Sequence, residues 1–121
     1  MAVKVMIADD HSMIREGLKQ LLELEGDFEV IAEACDGVDC LEKLKTVVPD
    51  ILLLDINMPN MNGLELVKKI RTDGGVHQKT PIIMITTEGG KGEVITALKA
   101  GVNNYIVKPF NAEVLKEKLD G

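Results

Sequence analysis

Alternating strand and helix signals along the whole chain predict an α/β fold: a single doubly wound (βα)5 domain over residues 1–121. Three observations carry that reading. Five short apolar runs alternate with five helical periodicities, and no internal repeat or low-complexity linker divides them. The run Ile51–Leu54 is wholly apolar, too short for a buried helix, and lies between Pro49 and a turn-rich segment. That pattern suits a strand covered on both faces, as in a parallel sheet. Four of the five apolar runs end abruptly on a polar group, and open α/β sheets collect their chemistry at the carboxyl ends of the strands.

The first strand is Val3–Ala8, ending at Asp9-Asp10. A helix follows, marked by Ile14, Leu18, Leu21 and Leu22, with Ser12 as the expected N-cap and Gly26-Asp27 as its stop. Phe28–Ala34 alternates, with Phe28, Val30 and Ala32 set against Glu29 and Glu33, which suits a strand near the sheet edge. Asp36-Gly37 reads as a turn. Val38, Leu41, Leu44, Val47 and Val48 mark a second helix closed by Pro49. The third strand, Ile51–Leu54, ends on Asp55. Pro59, Asn62 and Gly63 turn the chain into a third helix with Leu64, Val67 and Ile70. Residues 72–80 read as a loop, and Pro81 opens the strand Ile82–Ile85, which ends at Thr86-Thr87. Residues 88–92 are flexible by composition. Val94, Ile95, Leu98 and Ala100 mark a fourth helix ending at Gly101. Asn104–Val107 is the last strand, terminated by Lys108-Pro109, and Asn111 caps a fifth helix through Val114, Leu115 and Leu119.

The totals narrow the function classes. Aromatics make up 2% of the 121 residues, so the core is aliphatic. A net charge of −6 disfavours direct nucleic-acid binding. No apolar stretch is long enough to span a membrane, and no secretory signal is visible, so a cytoplasmic protein is expected. The two cysteines, Cys35 and Cys40, are expected to stay reduced. Cys35 is expected to be buried at the end of the second strand and Cys40 to sit on the second helix; neither is assigned a function.

In a parallel sheet the strand ends share one edge. Asp9, Asp10, Asp55, Thr86 and Lys108 therefore converge from across the chain. Three carboxylates in one cleft repel, and a hard divalent cation resolves that repulsion. Oxygen donors with an incomplete shell favour Mg2+, which keeps waters and shares positions with phosphate oxygens. A remaining carboxylate can act as a nucleophile toward phosphorus. Lys108 and Thr86 would neutralise and hydrogen-bond the equatorial oxygens. Taken singly, each residue has a duller reading as a cap or turn; their joint placement is what points to chemistry.

The segments Ile7–Asp10, Leu54–Gly63, Ile85–Glu88 and Tyr105–Phe110 together resemble a response-regulator receiver domain of two-component signalling, over essentially the full chain. The resemblance implies a flavodoxin/CheY-like five-stranded parallel sheet of order 2-1-3-4-5. It makes Asp55 the phospho-acceptor. It places Mg2+ on Asp10 and Asp55 directly, on Asp9 through water and on the backbone carbonyl of Asn57. It assigns Thr86 and Lys108 to the phosphoryl group, and Thr86 and Tyr105 to the switch, with a cis Lys108–Pro109 bond orienting the lysine. The output surface would be the face of the fourth helix, fifth strand and fifth helix. The implied partners are a sensor histidine kinase or phosphotransfer protein upstream, and a downstream output protein or a missing output domain. The protein would be a monomer or a phosphorylation-dependent dimer. It would be a signalling protein rather than an enzyme, with self-phosphorylation and autodephosphorylation.

Asn57, Thr87 and Glu88 occupy positions that tune phosphate lifetime in such domains, and Thr87 stands where the family usually has Ala or Gly. Residues 6–71 resemble receivers of helix-turn-helix DNA-binding regulators, notably in Asp10–Leu18, whereas residues 81–119 are nearer the chemotaxis CheY type. The output is thus a chemotaxis target or, alternatively, transcription through a DNA-binding regulator from which this receiver was excised. A phosphorylation-independent binding module is a further alternative. A flavodoxin-like cofactor binder would need a Ser/Thr/Gly-rich loop where Asp9-Asp10 stands. A phosphohydrolase of the haloacid-dehalogenase type would need an acid where Asn57 stands. His11 reads as a loop residue near the site.

Overall fold

The computed structural model describes residues 3–55, 63–72, 80–86, 91–107 and 117. Strands β1 (Val3–Ala8), β2 (Phe28–Ala34), β3 (Ile51–Asp55), β4 (Ile82–Thr86) and β5 (Asn104–Val107) alternate with helices α1 (Ser12–Glu25), α2 (Gly37–Leu44), α3 (Gly63–Thr72) and α4 (Lys91–Ala100). All strand pairs are parallel and the order is β2-β1-β3-β4-β5, as the resemblance implies. The fifth expected helix lies outside the described residues except for Glu117, which is helical and exposed.

Sheet alternation divides the core into two layers. Val5, Ile7, Leu53, Ile83, Ile85 and Ile106 project to one face and meet Leu18 and Leu22 of α1. Met6, Ala8, Leu52, Leu54, Ile82 and Met84 project to the other, against Cys40, Leu44, Leu66, Val67 and Ile70 of α2 and α3. Every residue of β3 is buried, which is why its sequence shows no alternation. A fully buried aliphatic side chain contributes roughly 1.5–3 kcal/mol, so these two layers dominate the stability of the domain.

Strand β2 departs from simple alternation. Val5 pairs with Val30 but Met6 pairs with Ala32, so Ile31 is an extra residue, a bulge. Before it, Phe28 and Val30 face the α1 side; after it, Ala32 and Ala34 face the α2 side. The expected single face of Phe28, Val30 and Ala32 is therefore split. The reversal puts Glu33 level with Ile7, where Arg15 of α1 meets it (Nε to Oε1, 3.3 Å).

Helix ends differ from expectation in two places. His11, not Ser12, is the N-cap of α1, and its side chain makes no capping bond. At the other end Gly26 adopts the left-handed conformation (φ 77°), and its N–H donates to Glu23 O, a stop that favours glycine. Asp36 is more than a turn residue: its carboxylate accepts from Asp39 N at 2.7 Å and caps α2. That helix ends at Leu44, short of Val47 and Val48, and Val48 is 60% exposed. Pro49 disfavours helical backbone at the residue before it, and a tight turn through Lys45 and Thr46 uses up the last carbonyls.

Candidate functional site

Asp9, Asp10 and Asp55 sit at neighbouring strand ends. Ala8 pairs with Leu54, so the next residues, Asp9 and Asp55, emerge side by side. Asp9 N continues the ladder to Ala34 O at 3.0 Å, which fixes its backbone between β2 and β3. Asp9 and Asp55 are 1% and 3% exposed, and Asp10 is half-buried. One ligand atom from each of Asp9, Asp10, His11 and Asp55 can be chosen so that all lie within 4.8 Å of one another. At an effective dielectric near 20, two full charges at that separation repel by about 3–4 kcal/mol. Two of the acids are also stripped of water, so the cluster is held together at a cost that a cation would relieve.

The donor chemistry fits Mg2+. It is dominated by carboxylate oxygens from adjacent strand ends. Asp10 Oδ1 is shut off from water and accepts no well-aligned hydrogen bond, its near polar neighbour being His11 Nδ1 at 3.0 Å. An oxygen in that state is a ready ligand for a hard cation. Asp9, Asp10 and Asp55 would hold the metal; Asn57, the fourth expected contributor, lies outside the described residues.

The surrounding strap is made by α1. His11 N donates to Asp9 Oδ1 at 2.8 Å, and His11 O accepts from Arg15 N at 3.1 Å. Arg15 Nη1 donates to Asp9 O while its Nε reaches Glu33. The imidazole Nδ1 of His11 lies 3.3 Å from Asp9 Oδ1 and 3.0 Å from Asp10 Oδ1. His11 is thus part of the cluster rather than a passive loop residue. Its sequence signal was only its place beside the acid pair.

Thr86 ends β4 one residue beyond Ile85, the partner of Asp55, so its backbone stands at the same edge. Tyr105 pairs with Met84 and is half-buried against the α2–α3 layer. Lys108, Thr87 and Glu88 lie outside the described residues. Cys35 is exposed, not buried as expected, because β2 ends at Ala34 and its side chain falls beyond the last covered position. Cys40 is fully buried, and burial pushes its thiol pKa from 9.0 up to about 12. A cleft of about 340 Å³ beside this edge is lined by Arg15, Glu33, Ala34, Cys35, Asp39 and Lys43. Its charges are already matched, Arg15 with Glu33 and Lys43 with Asp39, each at 3.3 Å. Although burial opposes it, the Cys35 N–H and Lys43 together hold the Asp39 carboxyl below its usual range.

Comparison with known proteins agrees with this geometry. The family model described as response regulator receiver domain matches residues 5–120. The chain is 56% identical over 119 residues to chemotaxis protein CheY1 of Helicobacter pylori, covering 98% of this chain and 94% of that one. The chemotaxis response regulator CheY4 of Vibrio cholerae superposes with a TM-score of 0.89 at 34% identity, over 99% of this chain and 98% of the other. A LuxR-family two-component response regulator from Aurantimonas sp. SI85-9A1 superposes at 0.90 with 27% identity, covering 99% and 84%. The CheY1 match spans both halves, and the similar solved structures include chemotaxis and LuxR-family receivers alike. With the strand order, the acid cluster and the full-length match in agreement, this chain belongs to the response regulator receiver domain family.

Proposed function

We propose that this CheY-like receiver is a switch thrown by phosphorylation of Asp55. The observation that carries the reading is the burial of the Asp55 carboxylate at the end of β3, with Asp9 and Asp10 within 4.8 Å. An Asp55 oxygen attacks the phosphorus of a phosphohistidine or of acetyl phosphate in line. The P–N or P–O bond to the donor breaks, its electrons leave with the donor, and an acyl phosphate forms on Asp55. Asp9, Asp10 and Asp55 would hold a Mg2+ ion, which would supply charge neutralisation for the phosphoryl oxygens. Asp9, tied to His11 N, keeps its orientation during transfer. Lys108 pairs with a phosphoryl oxygen, and the Thr86 hydroxyl donates to another. Water attack at phosphorus later restores the carboxylate and releases phosphate.

The movement of Thr86 toward the phosphoryl group draws Tyr105 inward and alters the face formed by α4, β5 and the expected fifth helix. Ile95 and Leu98, each 46% exposed on α4, are available on that helix for a partner. A histidine kinase or phosphotransfer protein supplies the phosphoryl group in the cytoplasm. The identity to CheY1 favours a chemotaxis output over a DNA-binding one. Among the described residues no helix is long and apolar enough to cross a membrane.

Intact-protein mass after incubation with Mg2+ and acetyl phosphate tests the reading. A metal-dependent gain of one phosphoryl group, absent from Asp55→Asn, is expected. No gain in the wild type, with beryllofluoride also failing to bind, would replace it with a phosphorylation-independent binding module. The extra bulk of Thr87 slows loss of the phosphate, so Thr87→Ala should dephosphorylate faster; equal rates would remove that role.

A further inference from the structure

We infer that His11 adds a nitrogen donor to the acidic site and shifts its metal preference toward imidazole-binding divalent ions such as Co2+. The inference rests on the proposed cation site and concerns which ion that site prefers. The distances carry it. Two donors bound to one metal at about 2.1 Å and at right angles lie about 3.0 Å apart, and two on opposite sides about 4.2 Å. His11 Nδ1 is 3.0 Å from Asp10 Oδ1 and 3.3 Å from Asp9 Oδ1. Those are adjacent-corner separations of an octahedral shell; in the metal-free site they are hydrogen-bond and ion-pair contacts, and a bound ion would displace the Nδ1 proton. The whole quartet with Asp55 fits within 4.8 Å, slightly wider than a closed shell.

The ring is placed by more than chance contact. His11 is held at both backbone ends, by its N–H to Asp9 Oδ1 at 2.8 Å and its carbonyl to Arg15 N at 3.1 Å. Most of the ring is open to solvent, 65% exposed, while Nδ1 turns back to the acids. The buried Asp10 Oδ1 lies on the same side, with His11 Nδ1 as its near polar neighbour at 3.0 Å. An oxygen-only site suits Mg2+; adding a neutral imidazole favours Co2+, Ni2+ or Zn2+, which accept nitrogen readily. Mg2+ gains little from such a donor.

The test uses the full chain in a Cys35→Ser, His77→Ala background, which removes the exposed thiol and the only other histidine. Binding of Mg2+ and of Co2+ is measured by calorimetry, and the cobalt d–d absorption band is recorded, with and without His11→Phe. The expected result is a loss of roughly tenfold or more in Co2+ affinity in the variant, a Mg2+ affinity within about threefold, and a moved cobalt band. Equal Co2+-to-Mg2+ ratios and an unmoved band would overturn the role of His11 while leaving the cation site intact. Binding of neither ion by the His11-containing protein would overturn both. A thermal melt of the variant without metal confirms folding, because His11 makes no side-chain cap for α1.

Discussion

The two edges of the sheet are built on opposite principles. At the amino edge, polar groups are matched. Asp50 and Lys4 exchange bonds, Asp50 N to Lys4 O at 2.8 Å and Lys4 N to Asp50 Oδ2 at 2.9 Å. Arg71 at the end of α3 donates to Gly101 O through Nε and Nη2, and to Asn103 Oδ1, which also accepts from Ile82 N. One guanidinium thereby ties α3, the turn after α4 and β4 together, and burial draws its pKa down. Gly101 makes this possible: its φ is 120°, and a Cβ there would meet Arg71 Cγ at 2.9 Å. At the carboxyl edge, like charges crowd and Asp10 Oδ1 is left without a well-aligned hydrogen bond. One edge holds the fold; the other crowds acids whose repulsion a cation would neutralise.

The thiols offer the largest contrast. Cys35 at the carboxyl edge should react freely with a thiol reagent in the folded protein. Cys40, fully buried, should be slower by roughly 10³-fold or more, because opening of the domain must come first. Comparable rates would mean that α2 is not seated on the sheet. The same burial gives a pH signature. With its pKa raised from 9.0 to about 12, the Cys40 thiol contributes its full share of stability below about pH 9 and loses it as pH rises toward 12. Cys40→Ala should flatten that alkaline loss in denaturant titrations.

Arg71→Ala should lower the unfolding free energy by about 2 kcal/mol in urea titrations, since the part-buried Gly101 carbonyl loses a charged donor. Asp36→Ala should lower it by about 1 kcal/mol through the lost cap of α2. Asp10→Asn should move it the other way, a gain of roughly 0.5–1 kcal/mol in chelator, while removing the stabilisation that Mg2+ gives the wild type. A loss of stability in Asp10→Asn without metal would break the division between the edges.

Much of this was legible in the sequence because it depended on pattern. Strand runs and helical spacing located all nine described elements, and Asp9, Asp10 and Asp55 were readable as strand-end acids. The misses lie where tertiary contacts decide. Nothing in Phe28–Ala34 announces that Ile31 is the extra residue, since the partner strand sets the register. Without that shift, neither the meeting of Arg15 with Glu33 nor the exposure of Cys35 can be foreseen. Val47 and Val48 kept helical spacing although Pro49 had already ended the helix. His11 carried no periodic signal, and its nearness to two carboxylates appears only once Asp9 N is pinned to β2.

The bulge at Ile31 also bears on what this molecule does in company. Strand β2 is an outer strand of the sheet, and an outer strand with a regular ladder is a template on which another chain can add itself. The extra residue breaks that ladder partway along and twists it away from a straight run. Glu29, exposed on the same strand, adds a charge that an incoming strand would have to face. The irregularity that turns Glu33 toward α1 thus also works against edge-to-edge pairing between copies, and restoring regular pairing there would invite it.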